Sequence, residues 1–173
     1  GRVVWNQSAS KLTFSNDGGG SFKNFGSGSG GGSGVNFLAD VNFDFEGGAT
    51  GWTASSGPTL TIATAAPNKL HGGRSAVFNS TAASQTVDST AISMVTGDFS
   101  GYGGAEAVAS CLFKTAATGG EYKLQAVQSP STVLAEIGIA PTSSAKVQST
   151  PIFSLPSTGT VFLRVVSTAN AAD

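Results

Sequence analysis

The sequence predicts an all-β fold, a jelly-roll β-sandwich preceded by a short β-meander and a Gly/Ser-rich hinge. Three observations predict it. Short apolar runs recur about every ten residues between turn signals, with no helical period. Charged residues make up only 11% of the 173 positions, against roughly 25% in ordinary soluble domains. Long surface helices draw on Lys, Glu and Arg, so their scarcity argues against helix and for Ser- and Thr-rich strands. Finally, residues 26–34 read Gly-Ser-Gly-Ser-Gly-Gly-Gly-Ser-Gly, a string with no apolar side chain and maximal backbone freedom. It separates a short N-terminal segment (1–25) from a larger domain (35–173).

The N-terminal segment reads strand, turn, strand, turn, short strand. Arg2-Val3-Val4-Trp5 and Lys11-Leu12-Thr13-Phe14 are the first two strands, and Phe22-Lys23-Asn24-Phe25 is the third. Val4, Leu12 and Phe14 alternate with polar neighbours. A meander this small cannot bury a core alone. Copies of itself are the simplest partner, so the segment predicts a homo-oligomer, a trimer suiting a bundle from which hinged modules project. Trp5 is then a packing residue between subunits.

Beyond the hinge, the expected strands are 42–46, 59–64, 75–79, 84–95, 106–115, 121–128, 132–140, 145–153 and 160–167. Ser56-Gly57-Pro58, Ala66-Pro67-Asn68, Gly72-Gly73, Gly101-Tyr102-Gly103-Gly104, Thr118-Gly119-Gly120, Ser129-Pro130 and Pro156-Ser157-Thr158-Gly159 separate them. Alternation is clearest in Tyr122–Gln128 and Val161–Val165. The hinge is not a phosphate loop, because no Lys-Ser/Thr pair and no helix pattern follow it.

Composition excludes several partners. The net charge is −1, and the nine basic residues are scattered from Arg2 to Arg164, so no basic stripe meets nucleic acid. No apolar run approaches the roughly 20 residues of a membrane span. The chain opens on Gly rather than Met, which reads as a processed product or a fragment. A single Cys111, in Ala109-Ser110-Cys111-Leu112-Phe113, forbids an internal disulfide and reads as a small buried hydrophobe.

Catalytic chemistry finds little to work with. His71 is the one histidine, so zinc sites and Ser-His triads lack partners. Asp44 and Glu46 lie two apart on one expected strand, which does not straddle a glycosidic bond. The reading is therefore a protein without enzymatic activity. Two aromatics are candidate sugar platforms. Tyr102 sits in the Gly101–Gly104 loop, where anchoring the loop is its other role. Trp52 offers an indole face, with packing under the sandwich edge as its other role.

Asn36-Phe37-Leu38, Asn42-Phe43-Asp44-Phe45-Glu46, Thr50-Gly51-Trp52 and His71-Gly72-Gly73-Arg74-Ser75-Ala76-Val77 resemble the opening of carbohydrate-binding modules with the galactose-binding-like jelly roll. In that family, Asn-Leu-x-x-Asn-x-x-Phe-Glu leads to Gly-Trp, and a His-x-Gly segment follows. The pattern also occurs in bacteriophage tail-fibre and other virion proteins. Val4-Trp5-Asn6 through Lys11-Leu12-Thr13-Phe14 to Asp17-Gly18 is similar to a segment that precedes it there. The resemblance implies a virion appendage that binds host-surface glycan or docks on other virion proteins. It leaves two alternatives: a module of a secreted polysaccharide-degrading enzyme, and a bacterial adhesin or surface-layer repeat. It implies that the Gly-Trp indole of Trp52 packs under the sandwich edge. It also implies a structural calcium at Glu46, with carbonyls near His71 and Gly73. The family's late acidic residue has no match before the chain ends at Ala171-Ala172-Asp173, so the last strand is expected to be missing or supplied from elsewhere, and Asp173 is the displaced candidate ligand.

Overall fold

Alternating apolar and polar residues pair across turns, and the N-terminal segment does this in its simplest form. The computed structural model describes residues 45–55, 57–70, 72–96, 101–115, 122–139, 141–142 and 144–168, together with the strand backbones at 2–6, 11–15 and 23–24. The chain divides into two compact units, Gly1–Phe37 and Leu38–Asp173. In the first, β1 (Arg2–Asn6), β2 (Lys11–Ser15) and β3 (Lys23–Asn24) form an antiparallel sheet in that order. Val3 lies opposite Phe14 and Trp5 opposite Leu12. Directly opposed residues share a face, so these four positions stand on one side of the sheet. Val4, opposite Thr13, stands on the other.

The second unit is a β-sandwich. Its strands are β4 (Trp52–Ala54), β5 (Thr59–Ala63), β6 (Ser75–Asn79), β7 (Thr86–Ser89), β8 (Ile92–Ser93), β9 (Glu106–Ala107), β10 (Ser110–Phe113), β11 (Tyr122–Gln128), β12 (Thr132–Gly138), β13 (Lys146–Ser149), β14 (Phe153–Ser154) and β15 (Thr160–Ser167). The wide sheet runs β12-β11-β15-β7-β4, with β8 pairing the start of β15. Against it lie three two-stranded ribbons, β5–β6, β10–β13 and β9–β14. Among the described residues every regular element is a strand, and no helix is long and apolar enough to cross a membrane.

The core follows from the period of two. Leu124 and Ala126 on β11 are fully buried and pack with Cys111 and Phe113 of β10, Ile137 of β12, Phe153 of β14, and Leu163 and Val165 of β15. Tyr122 and Ile139 form a second cluster with Phe78 and Phe113. A bulge between Ala126 and Val127 shifts the β12 register and leaves Leu134 without a partner across the ladder; Leu134 packs into the first cluster.

Hydroxyls do part of the work that charges do elsewhere. Ser75, Ser80, Ser89, Thr150 and Ser167 are buried. Each makes a hydrogen bond, as a buried polar group requires. Ser75 Oγ accepts from Leu70 N–H at 2.8 Å, Ser80 pairs with the Tyr122 hydroxyl at 3.0 Å, and Ser89 Oγ accepts from Leu163 N–H at 3.0 Å. Thr150 Oγ1 accepts from Ala109 N–H at 3.1 Å, and Ser167 Oγ donates to Ala82 O at 2.6 Å. The Ser and Thr expected in the strands thus also supply interior pins.

Strands β6 and β15 match the expected 75–79 and 160–167. The expected strand 84–95 divides into β7 and β8, and 106–115 into β9 and β10. The strand expected at 42–46 is corrected at its end. Phe45 adopts φ 60° and Gly48 N–H bonds to Phe45 O at 2.9 Å, so 45–51 are turns; Gly47-Gly48 and Gly51 release the chain from extension. Residues 42–44, the Gly/Ser hinge, His71 and the 169–173 terminus lie outside the described residues.

Candidate functional site

The wide sheet has two faces, and register sorts them. One face carries Leu124, Leu163, Val165 and Val87 into the sandwich. On the other, register aligns one residue from each of five strands. Thr53 lies opposite Asp88, Asp88 opposite Arg164, Arg164 opposite Gln125, and Gln125 opposite Glu136. Five polar side chains therefore form a straight row across β4, β7, β15, β11 and β12. At about 4.8 Å per strand step the row spans roughly 19 Å.

The row is internally bonded. Arg164 Nε donates to Asp88 Oδ1 at 2.8 Å and Nη2 to Oδ2 at 2.7 Å, the two-pronged geometry that fits a planar guanidinium to a carboxylate. Bonding to Asp88 raises the Arg164 pKa, against the opposing pull of partial burial. The Arg164 guanidinium also lies 5.2 Å from the Phe162 ring centre. Phe162 and Val127, opposite one another and two residues along from Arg164 and Gln125 on the same face, are buried, so the face is covered on that side of the row. At the other end Glu136 accepts from Lys123 Nζ at 2.7 Å and from Gln125 Nε2 at 2.9 Å. Those two bonds, the lysine's first, hold the Glu136 carboxyl below its ordinary range. Arg164 and Asp88 side chains keep 22% and 26% of their surface, Lys123 and Glu136 37% and 41%. The row thus holds two bonded groups, Asp88–Arg164 and Lys123/Gln125–Glu136, that are electrically balanced and keep part of their surface in solvent.

Between the layers lies a cleft of about 1010 Å³ lined by Phe45, Trp52, Leu60, Phe78, Phe113 and Tyr122, with Glu46, Asn68, Arg74, Asn79 and Lys114 among its polar lining residues. Its wall includes Cys111, whose thiol burial pushes up to about 11 despite a weak bond to Leu112 O. Such an unionised thiol is inert.

The sequence-predicted site residues fall elsewhere than on the row. Trp52 pairs with Ser89, which puts it on the core side, half-buried, its ring 5.0 Å from that of Phe45. Tyr102 is half-buried in the 101–104 turn, where its carbonyl accepts Ala105 N–H at 3.0 Å. Glu46 reaches the 72–74 turn: Gly73 N–H donates to Glu46 Oε1 at 2.6 Å and Arg74 N–H at 3.3 Å. Calcium takes six to eight oxygen ligands. Among the described residues no group of three acidic, His or Cys side chains gathers. The calcium expected at Glu46 draws on His71 and Asp173, which lie outside the described residues. The row itself, Asp88, Arg164, Gln125 and Glu136, was missed. Alternation marked Lys123, Gln125 and Arg164 as outward, but only register brings them into line.

No protein-family model matches the chain, and no curated protein matches it. Solved structures do. The chain is similar to the C-terminal family 22 carbohydrate-binding module of Clostridium thermocellum Xyn10B, with TM-score 0.50 and 20% identity over 74% of this chain and 82% of that one. The fold is a jelly-roll β-sandwich. A xylan-binding domain of the same module family superposes with TM-score 0.49 at 19% identity, over 74% of this chain and 83% of its own. Neither is a virion protein.

Proposed function

We propose that this chain is a non-catalytic carbohydrate-binding module that holds an uncharged glycan across the outer face of its wide sheet. The five-strand polar row carries the reading. A sugar polymer offers hydroxyls on both sides of each ring, and a row of fixed carboxylate, guanidinium and amide groups offers donors and acceptors in one plane. The charges are already balanced, Asp88 by Arg164 and Glu136 by Lys123, so an added ionic ligand gains little. The row length of roughly 19 Å suits about four sugar units. The similarity to the Clostridium thermocellum module adds support at the level of fold. Whether the module hangs on a virion fibre, a secreted enzyme or an adhesin repeat changes what it anchors and leaves the binding face the same.

Affinity electrophoresis of the full chain in gels containing a neutral β-glucan, a neutral xylan or polygalacturonate tests it. Retardation is expected in at least one neutral gel, undiminished by added salt, and reduced at least tenfold in Asp88→Ala. No soluble sugar is expected from a release assay. Retardation in polygalacturonate alone, abolished by salt, overturns the neutral-glycan reading. Migration unchanged in all gels overturns carbohydrate binding by this face for these polymers.

The N-terminal sheet carries a second, independent part. Val3, Trp5, Leu12 and Phe14 occupy one face of a unit too small to enclose them. Copies of this unit associate through that face as a homotrimer, and the three modules act with raised avidity on a repetitive glycan surface. Light scattering is expected to give three times the 17.2 kDa chain mass, and the monomer mass for Trp5→Ser/Leu12→Ser. A monomeric wild-type chain at high concentration ends this part.

A further inference from the structure

We infer that the outer face of the β9–β14 and β10–β13 ribbons is a two-fold contact surface for a second copy of this module. Exposed aliphatic side chains scattered singly are ordinary; here they gather. Val108, Val147 and Ile152 keep 54%, 68% and 69% of their surface in solvent, and the last two are the most exposed large hydrophobics among the described residues. Ala109, Cys111 and Phe113 pack into the core, so alternation turns Val108, Ser110 and Leu112 outward. Val147 lies opposite Leu112 and shares its face. Val108 and Ile152 follow the pairing of Ala109 with Thr150, in which Thr150 N–H donates to Ala109 O at 2.9 Å. Phe153 packs into the core and leaves Ile152 on the outer side.

The strip is its own complement. Glu106, Val108, Ser110, Leu112 and Lys114 run acid, aliphatic, hydroxyl, aliphatic, base, with Ser110 at the midpoint and both charges exposed. Among the described residues neither charge joins an ion pair; Lys114 Nζ donates one long bond, 3.4 Å, to Pro67 O. A two-fold axis that lies in the plane of contact and crosses the strands at Ser110 reverses the strand direction of the second copy. Glu106 then meets Lys114 of the other copy at both ends, Val108 meets Leu112, and Ile152 meets Val147. The Ser110 and Ser149 hydroxyls, 2.7 Å apart, stand at the axis and already bond each other, so covering them strands no polar group. One surface thus satisfies both sides of the contact, which is what an isologous interface requires. At about 3.4 Å per residue the strip is roughly 27 Å long, and two strands make it about 10 Å wide. That is far below the roughly 800 Å² per partner of a stable complex. The contact is therefore weak in dilute solution and forms where modules are crowded.

Zero-length carbodiimide coupling of carboxylates to amines on the concentrated wild-type full chain, read by peptide mass spectrometry, tests the contact without any variant. Within one chain Glu106 and Lys114 stand roughly 27 Å apart, beyond direct coupling, so a Glu106–Lys114 cross-link reports two copies. That cross-link is expected, fading with dilution and with added salt. Its absence overturns the inference. Disulfide trapping of the full chain with Ser149→Cys is the second arm, with the wild-type chain and its buried-side Cys111 as the blank and the exposed Thr132→Cys on the wide sheet as the control. Ser149→Cys is expected to form covalent pairs about tenfold faster than Thr132→Cys, to slow about tenfold when Glu106→Lys or Lys114→Glu is added alone, and to recover when both are added. Equal trapping of Ser149→Cys and Thr132→Cys overturns the inference. So does a double reversal that stays as slow as the single ones, because a strip that does not pair with its own inverse belongs to a different partner.

Discussion

The two faces of the wide sheet are built from the same strands and answer to different physics. On β11, Tyr122, Leu124 and Ala126 point inward and are buried, while Lys123 and Gln125 between them point outward and are half-buried. The inner face is non-directional: any apolar group of the right volume serves. The outer face is directional, with Asp88, Arg164, Lys123, Gln125 and Glu136 held by particular partners at 2.7–2.9 Å. Substitutions on the inner face should therefore change stability and leave ligand contacts alone. Those on the outer face should change binding more than stability. That division of labour is the comparison the following experiments break or sharpen.

The largest effect belongs to the inner face. Leu124 is 1% exposed and belongs to the cluster joining five strands of the sandwich. Leu124→Ala is expected to cost about 2–5 kcal/mol by urea denaturation, with glycan retardation of the folded fraction unchanged. A loss below about 1 kcal/mol would mean that the sheets do not share a close-packed core there. Cys111 probes the same face without altering it. A thiol moved from 9.0 to about 11 presents roughly a hundredfold less thiolate at pH 8. Labelling by a disulfide reagent should be about that much slower in native buffer than in denaturant. Equal rates would place Cys111 at the surface and break the comparison.

How far the sequence alone reached follows the same division. Inner-face positions were legible because burial leaves a period-two trace: Leu124, Ala126, Leu163 and Val165 alternate with polar residues in uninterrupted strands. Residues 45–46 were read as the end of a strand because Phe43 and Phe45 alternate with polar neighbours, while a left-handed Phe45 and Gly47-Gly48 turn the chain there. The short strand Trp52–Ala54 left no periodic trace in three residues. The outer row was illegible for a different reason. Asp88 and Arg164 are 76 residues apart, and nothing local records that β7 and β15 are neighbours. Aromatic residues drew attention to Trp52 and Tyr102, yet an aromatic ring marks a sugar platform only where it is presented, and Trp52 is turned toward the core side.

At intermediate size comes the Asp88–Arg164 fork. Both groups are about three-quarters shielded, so screening is weaker than for a surface pair. Arg164→Ala should cost about 1–3 kcal/mol, the range for hydrogen bonds to charged groups, and reduce glycan affinity at least tenfold. Arg164→Lys keeps the charge and loses the fork. If the plane of donors rather than charge makes the site, Arg164→Lys should bind nearly as poorly as Arg164→Ala. Full affinity in Arg164→Lys would reassign the residue to a point-charge role.

The smallest effect is at Glu136, and it separates stability from recognition most cleanly. Its carboxyl is 41% exposed, and pairs of that kind contribute about 0.2–1 kcal/mol. Lys123 first, then Gln125, holds the carboxyl below its ordinary value of 4.5. A group whose pKa is depressed by folding stabilises the folded state above the unfolded value, and that contribution disappears as pH falls through the folded value. Wild type and Glu136→Gln should therefore differ slightly in melting point at neutral pH and converge below about pH 4. Glycan binding is expected to respond more strongly. Glu136 ends the row and fixes both Lys123 and Gln125, so Glu136→Gln releases Lys123 and should weaken binding several-fold at neutral pH while barely moving the melt. It should also create a preference for an acidic polymer, because the released ammonium is then uncompensated. A Glu136→Gln protein that loses stability at neutral pH in proportion to its loss of binding would show that the outer face is a structural extension of the core.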